Sequence, residues 1–363
     1  NRIAVPPMCQ YLANEGLVNE WHYAHYAGIA RGGAGLVIVE ATAVSPEGRI
    51  TPGCPGTYSA EQKQAWKRIS DWIHANTDAK FAMQIGHAGA KASTRLAWEG
   101  TDLPLEQGNW PIMAASEQQY LQGVSQISRA MTRADMDEVL QQFVHAAHMA
   151  ADIGVDWLEL HCAHGYLLSS FISPLTNQRN DEYGGLLENR LRFLDEVTRA
   201  VVDAIGASAR SENIACARRL AAIAELYRRR EVPVQDAEGR ELWRIDPWAA
   251  VAAEIAASQS ITAGAAESLL HNAVCLHQRL PRVAAVFAAG EVDFRTVQMI
   301  VTRTLLAVEP AVMAAIDAEV ADTIRAWGGL SIYKTQIAID RIVERHDPEA
   351  RRRTESAVRS RCV

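Results

Sequence analysis

Hydrophobic positions in residues 1–206 fall into two alternating patterns. Continuous apolar runs are typical of parallel strands that are covered on both faces. Segments with a helical spacing of apolar residues lie between these runs. Alternating strands and helices of this kind build a doubly wound sheet or a (β/α)8 barrel, and about four βα units are present. The predicted strands are residues 3–8, 35–40, 79–85 and 155–161, and the predicted helices are residues 21–31, 60–76, 133–153 and 187–205.

Local signals mark the boundaries of these units. Ser59 and Thr132 each stand three residues before a Gln or an Asp, which is typical of a capped helix N-terminus. A long polar segment, residues 89–129, separates the third strand from the helix that follows it. Because loops of that length are uncommon in compact domains, we expect this segment to be functional.

The pattern changes near residue 206. The chain that follows is rich in Ala and Arg, poor in Gly, and helical throughout in its spacing of apolar residues. We predict a partial barrel over residues 1–206, a helical domain over 207–330 and a helical, Arg-rich C-terminal tail over 331–363. The predicted fold class is therefore α/β followed by all-α. The predicted helices are residues 211–230, 247–258, 262–280, 293–307, 309–326 and 331–346.

Composition excludes several broad classes of protein. The 363 residues are 48% hydrophobic and 22% charged, which is ordinary for a folded chain and unlike a disordered one. No apolar run approaches the roughly 20 residues of a membrane-spanning helix, so we expect no membrane partner. A net charge of −7 makes a globally basic nucleic-acid-binding protein unexpected.

The cysteines and the start of the chain bear on localisation. Six cysteines are scattered without a C-x-x-C pair, which is typical of a reduced protein. We recognise no signal peptide and expect a cytoplasmic protein. The sequence starts at Asn1, without Met and already beside a predicted strand, so we expect the true N-terminus to lie upstream.

Polar side chains follow all four predicted strands, at the edge where (β/α)8 barrels form active sites. His161 and His164 follow the fourth strand, and three interpretations are open: two metal ligands, two donors to one substrate oxygen, or a pair of which one is structural. No acidic residue occupies the spacing of the H-E-x-x-H zinc motif, and we predict no metal. Tyr166 is a candidate proton donor, because a tyrosine hydroxyl is protonated at neutral pH, or else a packing residue.

Two further candidates follow the third and first strands. Gln84 offers both a donor and an acceptor to the edge of a heterocycle, or braces a loop. Cys9 contacts a cofactor, or is a small buried hydrophobic residue. Two His-x-x-His pairs, which begin at His22 and His145, lie within predicted helices, and we interpret them as surface or packing residues.

Several stretches of residues 1–203 together match the pattern of one family. They are Asn1-Arg2-Ile3, Pro7-Met8-Cys9, Gly48-Arg49-Ile50-Thr51, Gln84-Ile85-Gly86-His87-Ala88-Gly89, His161-Cys162-Ala163-His164-Gly165-Tyr166-Leu167, Ser173-Pro174-Leu175-Thr176-Asn177, Asp181-Glu182-Tyr183-Gly184-Gly185 and Glu188-Asn189-Arg190. With these stretches, the chain resembles the N-terminal half of the Old Yellow Enzyme family, the NADH:flavin oxidoreductases with an FMN-containing (β/α)8 barrel. Residues 91–100 are similar to the reductase-like part of bifunctional salicylyl-CoA hydroxylases, which points to a CoA-linked or aromatic substrate.

The resemblance implies an FMN-dependent oxidoreductase of the ene-reductase type. NADH or NADPH would reduce FMN, which would pass hydride to the β-carbon of an enone, an enal or an unsaturated CoA ester. His161 and His164 would hydrogen-bond the carbonyl oxygen, and Tyr166 would protonate the α-carbon. Tyr11 matches a substrate-side position. The positions that match flavin contacts are Pro7, Met8, Cys9, Ala41 and Gln84.

The resemblance stops after the fourth unit. The family continues with strands that carry a flavin-contacting Arg and the Gly and Arg of the FMN phosphate site, whereas the spacing after residue 204 is helical. Pro6 and Ala90 stand where Ser and Arg are common in the family. We therefore expect a truncated barrel with two unpaired edge strands, and an activity that the truncation impairs. Self-association into a pseudo-complete barrel, or cover from the helical part, would relieve those edges.

The second half resembles a different family. Residues 207 to about 330 are similar to the actinobacterial 13E12-repeat family, a helical domain of unknown function that often precedes an HNH nuclease domain. His346 and Arg351–Arg353 do not form the nuclease motif. The alternative function is therefore a helical module that binds nucleic acid or a protein partner, and the chain is predicted to be a chimera. The matching stretches are residues 211–213, 219–227, 279–287 and 290–295.

Overall fold

The computed structural model describes residues 1–235, 246–327 and 330–349. The chain divides into two compact units, Asn1–Ser208 and Ala209–Val363. The strands, all in the first unit, are β1 (Ala4–Val5), β2 (Leu36–Ala43), β3 (Lys80–Gly86), β4 (Met113–Ala114), β5 (Gln118–Gln119), β6 (Ile127–Ala130) and β7 (Trp157–Leu160). The helices are α1 (Glu20–Arg31), α2 (Ala60–Asn76), α3 (Ala97–Gly100), α4 (Arg133–Ile153), α5 (Leu167–Ile172), α6 (Leu187–Gln235), α7 (Pro247–Gln259), α8 (Ala263–Arg279), α9 (Pro281–Ala288), α10 (Phe294–Thr304), α11 (Pro310–Thr323) and α12 (Ile332–His346).

A parallel sheet in the order β1-β2-β3-β7 forms the centre of the first unit. Leu36 of β2 pairs with Lys80 of β3, and Ile85 of β3 pairs with Leu160 of β7. Because all four strands are parallel, their carboxyl ends lie at one edge of the sheet. The prediction of about four βα units arranged as a partial barrel, followed by an all-helical part, is confirmed.

The two outer strands are shorter than predicted. β1 spans two residues where the apolar pattern predicted residues 3–8, and β7 spans four where it predicted residues 155–161. Within the described part of the chain, each outer strand pairs on one side only. Since ladder hydrogen bonds define a strand, an apolar run at a sheet edge extends beyond the residues that are paired.

The long polar segment after β3 contains regular structure that the sequence pattern did not reveal. A 3₁₀ turn covers Gly89–Lys91, α3 follows, and the short strands form a second sheet in the order β4-β6-β5. The Trp110 indole N–H donates to the Glu47 carbonyl at 3.0 Å. The segment is therefore attached to the chain that follows β2.

The core of the first unit lies between the sheet and the apolar faces of its helices. Trp66, Phe81, Phe143 and Phe193, from α2, β3, α4 and α6, are fully buried. The predicted N-caps of α2 and α4 are confirmed: Ser59 and Thr132 each accept a backbone N–H from the third residue of the helix.

Helix α6 corrects one expectation. The sequence predicted separate helices over residues 187–205 and 211–230, whereas α6 runs from Leu187 to Gln235 without a break. A single Gly in a helix costs only about 1 kcal/mol relative to Ala, and Gly206 is flanked by good helix formers. The division between the two units therefore falls inside a helix, at Ser208.

The second unit has its own helical core, which includes Leu220, Leu270, Phe287 and Ile316. Helix α9 was not predicted: Pro281 stands at its first turn, and the Asp317 carboxylate accepts the backbone N–H groups of Arg282 and Val283. Helix α12, which the sequence analysis assigned to a C-terminal tail, contributes Ile339, Ile342 and Val343 to this core. The cluster Arg351–Arg353 lies outside the described residues.

Two general properties concern the whole of the described chain. In residues 1–235, 246–327 and 330–349, no helix combines the length and the apolar character that a membrane span needs. Cys362 lies outside these residues. The described cysteines carry free thiols: Cys9, Cys54, Cys162, Cys216 and Cys275.

The capping box of α2 leads to a stability prediction. Ser59→Ala removes the acceptor for the Gln62 backbone N–H and should lower the free energy of unfolding by about 1 kcal/mol. Gln64→Ala changes an exposed residue of the same helix and should alter stability by less than about 0.5 kcal/mol. Urea unfolding followed by tryptophan fluorescence measures both. Equal effects of the two variants would contradict the capping role.

Candidate active site

The predicted site residues lie along the carboxyl edge of the parallel sheet. Each of the four strands contributes at least one of them, because the edge collects the residues at or just after each strand end. The residues after β1 are Pro7, Met8, Cys9 and Tyr11; Ala41 and Gln84 lie within β2 and β3; and His161, His164 and Tyr166 follow β7.

His161, His164 and Tyr166 form a cluster of three rings. The His161 ring centroid lies 4.9 Å from that of His164 and 4.7 Å from that of Tyr166, and the His164 and Tyr166 centroids are 6.1 Å apart. All three contacts are edge-on. His161 is buried and His164 is exposed. The cluster therefore presents two imidazoles and one phenol to the same small region.

A tight turn after β7 brings these rings together. His164 and Gly165 both have a positive φ, 58° and 73°, and the Lys91 ammonium donates to the His164 carbonyl at 3.2 Å. The Leu167 N–H donates to the His87 carbonyl at 3.0 Å, so the start of α5 is attached to the end of β3. A Cβ on Gly89 would lie 2.8 Å from the Leu167 nitrogen, which requires a glycine there.

The Tyr166 hydroxyl is held in its protonated form. Tyr166 packs with Cys9, Tyr11 and Trp110 against a small apolar cluster of Ile50, Cys54, Ala88, Ala92 and Ile112. Burial raises the pKa of Tyr166 above its ordinary value, and nearby thiols add to the effect. A buried phenol that keeps its proton is a hydrogen-bond donor and a proton source.

Pairing between β3 and β7 fixes the orientation of Gln84. Gln84 lies directly opposite Glu159, and its side-chain amide donates to the Glu159 carboxylate at 2.8 Å. The sequence analysis did not identify Glu159, because its partner Gln84 lies 75 residues earlier in the sequence, on a neighbouring strand. The contact orients the amide of a residue that is almost fully buried.

The loop after β1 carries Cys9 and Tyr11 toward the ring cluster. Tyr11 has a positive φ of 55°, and a Cβ on Gly53 would lie 2.2 Å from the Tyr11 carbonyl oxygen. Gly53 therefore permits the close approach of this loop. Burial raises the pKa of the Cys9 thiol to about 12, with smaller contributions from Cys54 and Glu40. Cys9 is consequently a neutral thiol at physiological pH.

His87 is a second residue that the sequence analysis did not single out. Its Nδ1 accepts the Gly89 N–H at 3.1 Å, so the neutral ring carries its proton on Nε2. The Nε2 atom is buried without a hydrogen-bond partner among the described residues. His87, His161 and Tyr166 line one small pocket. His87 therefore offers an unused N–H donor beside the ring cluster.

The metal interpretation of the histidine pair has no structural counterpart. Among the described residues, no three His, Cys, Asp or Glu side chains converge to hold a metal ion. His161 and His164 therefore present hydrogen-bond donors and acceptors without a third ligand beside them.

Burial of His87 predicts a pH dependence of stability. Burial lowers the pKa of His87 from 6.5 to about 4, so its stabilising contribution is complete above pH 6.5 and is lost as the pH falls toward 4. His87→Asn keeps an acceptor for Gly89 but does not titrate. The loss of thermal stability between pH 7 and pH 5 should therefore be smaller in the variant than in the unmodified protein.

The control for this experiment is His145→Asn, which changes an exposed histidine of α4. It should leave the pH dependence of the melting temperature unchanged. A wild-type pH dependence in His87→Asn would contradict the assignment of a neutral, buried His87.

Three known proteins are similar to about half of the chain. An NADH:flavin oxidoreductase of Gibberella zeae is 42% identical over 201 residues, which cover 54% of this chain and 48% of that protein. An NADPH dehydrogenase of Bacillus velezensis is 40% identical over 204 residues, or 55% of each. The Old Yellow Enzyme homologue from Zymomonas mobilis is 31% identical, with a TM-score of 0.49 over 57% of each chain. The chain thus spans about half the length of the curated relatives it matches.

Two family patterns match the chain, and they overlap over residues 207–236. Residues 207–363 match a family described as a domain of unknown function, DUF222. The resemblances to 13E12-repeat proteins and to salicylyl-CoA hydroxylases stay predictions. Residues 1–236 match the NADH:flavin oxidoreductase / NADH oxidase family, whose members use FMN with NADH or NADPH as reductant. The match covers more than half of the 363 residues, and the chain therefore belongs to the NADH:flavin oxidoreductase / NADH oxidase family.

Proposed function

We propose that the carboxyl edge of the sheet binds FMN and that the chain is an NAD(P)H-dependent ene-reductase. The observation that carries the proposal is the cluster of His161, His164 and Tyr166, with centroids 4.7–6.1 Å apart, beside Cys9 and Tyr11. Two imidazoles and a protonated phenol provide the donors that the reduction of an α,β-unsaturated carbonyl needs.

The residues at the edge suit the ring system of FMN better than its phosphate. A flavin ring has donors and acceptors along one edge, and the Gln84 amide and the backbone at Pro7, Met8 and Ala41 supply both kinds of group. Cys9 would lie near the ring as a neutral thiol. Among the described residues the sheet ends at β7, so the strands expected to carry the phosphate-binding Gly and Arg are not part of it. FMN, when bound, supplies hydride-transfer chemistry.

His161 and His164 would bind the carbonyl oxygen of the substrate. The Nδ1 atom of His161 accepts the Ala163 N–H at 3.3 Å, so a neutral His161 ring donates from Nε2. Burial lowers the pKa of His161, followed by the effect of His164, which favours the neutral ring. Two donors that converge on one oxygen polarise the alkene and stabilise the negative charge that develops on that oxygen.

Tyr166 would supply the proton at the α-carbon. Its raised pKa keeps the hydroxyl protonated until the substrate carbon becomes basic enough to take the proton. The Lys91 ammonium lies 5.6 Å from the centre of the Tyr166 ring and would stabilise the phenolate that remains. Solvent would then return a proton to the phenolate.

Aromatic side chains beside Tyr11 and Lys91 support the proposed substrate class. Tyr11 and Trp98 make an edge-on contact at 6.4 Å, and Lys91 lies 4.3 Å from the centre of the Tyr120 ring. Aromatic walls bind planar, conjugated molecules, while a lysine attracts an acidic one. We propose an enone, an enal or the unsaturated acyl group of a CoA ester as the substrate.

A phenylalanine at position 166 tests the role of the hydroxyl. Tyr166→Phe removes the proton donor but not the residues that orient FMN. We expect oxidation of the bound, reduced cofactor by an enone to slow roughly 100-fold, while its reduction by NADPH stays within about twofold. Stopped-flow absorbance of the two half-reactions measures both rates.

Tyr120→Phe is the matched control, because it also removes a tyrosine hydroxyl and keeps a ring that contacts Lys91. It should alter neither half-reaction by more than about twofold. Equal oxidation rates in Tyr166→Phe and the unmodified protein would reject Tyr166 as the donor, and failure of the loaded protein to reduce any enone would reject the proposed function.

We also propose that a second copy of the chain completes the barrel. Eight parallel strands close such a barrel, and the described residues of one chain contribute four. In the described residues β1 and β7 each have one unpaired edge, and Trp157 of β7 is 63% exposed. A twofold axis that places β1 of each copy beside β7 of the other would pair both edges at once.

Trp157→Lys tests this arrangement, because a lysine on an edge strand opposes further pairing. The unmodified protein should sediment with the mass of two chains, each 39.8 kDa, and Trp157→Lys with the mass of one. Trp98→Lys changes a tryptophan with similar exposure, 61%, which lies in α3 and outside both edge strands, and the variant should remain dimeric. A monomeric unmodified protein at the same concentration would contradict the proposal.

The helical unit offers little support for the nucleic-acid alternative. Binding to phosphate groups needs arginines that are not neutralised by neighbouring carboxylates. In the described part of this unit, many arginines form ion pairs instead. They are Arg228 and Arg229 with Glu225, Arg230 with Glu254, Arg303 with Asp340, Arg325 with Glu291 and Arg345 with Glu319.

The free thiols of the described cysteines fit a reducing compartment, and we propose the cytoplasm as the location of the protein.

A further inference from the structure

A buried carboxylate lies directly behind the proposed site and has no role in the reaction described above. Glu40 is completely buried in β2, next to Ala41. Its Oε2 atom accepts the Gln10 N–H at 2.8 Å, and its carboxylate also accepts the Tyr11 N–H. Glu40 thus attaches the loop that carries Cys9 and Tyr11 to strand β2.

Helix α1 covers the other side of this carboxylate with neutral donors. The Tyr26 hydroxyl donates to Oε1 of Glu40 at 3.0 Å. The Nδ1 atom of His22 accepts the Asn19 N–H at 3.2 Å, so its Nε2 carries the proton and lies 3.5 Å from the same oxygen. Burial lowers the pKa of His22 to about 4, with a smaller effect from His25, and His22 is therefore too weakly basic to compensate the charge of Glu40 near neutral pH.

Because His22 does not compensate it, the charge of Glu40 acts on its other neighbours. Burial raises the pKa of Glu40 to about 7, so the group becomes charged near neutral pH. It interacts electrostatically with Cys9 and Cys54. The Cys9 sulfur also accepts the Ala41 N–H and a hydrogen bond from the Tyr11 side chain. The titratable groups that face Glu40 are His22 and Tyr26 of α1, Cys9 after β1 and Cys54 after β2.

We propose that Glu40 is a positioning residue of the site: it holds the loop of residues 9–11 against β2, and its buried negative charge adds to the burial that keeps the Cys9 sulfur a neutral thiol. The inference rests on the proposed function only in giving Cys9 and Tyr11 a role beside FMN. Its consequence is that the reactivity of Cys9 depends on the charge of Glu40. A thiolate beside a flavin would alter both the charge and the chemistry of the site, and Glu40 opposes it.

The test measures alkylation of the cysteines by a maleimide in the full chain, without FMN, with peptide mass spectrometry to assign each site. Glu40→Gln keeps a hydrogen-bond acceptor but removes the charge. Cys9 should react at the same rate in the variant and the unmodified protein at pH 6, where Glu40 is protonated. Above pH 8 it should react roughly 3- to 10-fold faster in the variant, which corresponds to a Cys9 pKa lower by half a unit to one unit.

A second carboxylate provides a matched control. Cys162 interacts electrostatically with Glu159, as Cys9 does with Glu40. Glu159→Gln should therefore accelerate Cys162 and leave Cys9 unchanged, and Glu40→Gln should do the reverse. Two results would overturn the inference and leave Glu40 a structural residue. One is a ratio of Cys9 rates, Glu40→Gln over the unmodified protein, that does not depend on pH. The other is an acceleration of both Cys9 and Cys162 in Glu40→Gln.

The unmodified protein supplies an independent measurement if Glu40→Gln does not fold. Around pH 7, Glu40 gains its charge, so the Cys9 rate should rise by less than the tenfold per pH unit expected of an isolated thiol. A tenfold rise across this range would contradict the inference. Because no FMN is present, these outcomes do not depend on the proposed function, and failure to bind FMN would reject that function alone.

Discussion

The parallel pairing of β3 with β2 on one side and β7 on the other is the constraint on which the proposed site depends. It brings strand ends from distant parts of the sequence to one edge of the sheet. Gln84 reaches Glu159 because these residues are directly opposite in the β3–β7 register. His161, just after β7, is likewise held beside the end of β3, because its backbone N–H donates to the Ile85 carbonyl and continues the ladder. A shift of one residue in this register would turn these side chains to the other face.

Burial then determines the chemistry of the residues at this edge. Tyr166 keeps its proton, Cys9 is a thiol and His87 is a neutral imidazole, because each is desolvated more than it is stabilised by an opposite charge. These three residues therefore offer hydrogen-bond donors without a charge of their own. Such a surface suits a polarised, uncharged group such as a conjugated carbonyl. The Lys91 ammonium, 5.6 Å from the centre of the Tyr166 ring, adds a cation beside this surface.

Local sequence signals predicted the elements that depend on local interactions. The capping residues Ser59 and Thr132 mark helix starts correctly, since an N-cap needs only the first turn of its own helix. The predicted lengths of β1 and β7 were wrong. The length of a strand depends on its neighbouring strand, which is distant in sequence or, on the outer side of β1 and β7, absent from the described sheet. Helix α6 was predicted in two parts, since the tolerance of a helix for Gly206 depends on its surroundings.

The same distinction applies to the site. The motif around His161 and Tyr166 identified the catalytic candidates and the family, and the ring cluster is built by a turn that the motif itself contains. The supporting residues could not be found this way. Glu159 acts through a partner on another strand, and a single sequence contains no signal that joins the two residues. His87 bonds Gly89, only two residues later, but its burial and its place in one pocket with His161 and Tyr166 depend on distant parts of the chain. The roles of the site residues therefore stay proposals that depend on FMN binding.

The most direct test of the account is a titration of the full chain with FMN, followed by flavin fluorescence and visible absorbance. If the strand ends form a flavin site, fluorescence should be quenched saturably and the absorbance bands should shift. Circular dichroism in the same samples establishes that the chain is folded. Unquenched fluorescence and an unshifted spectrum in the presence of folded protein would contradict the central claim that this edge of the sheet binds FMN.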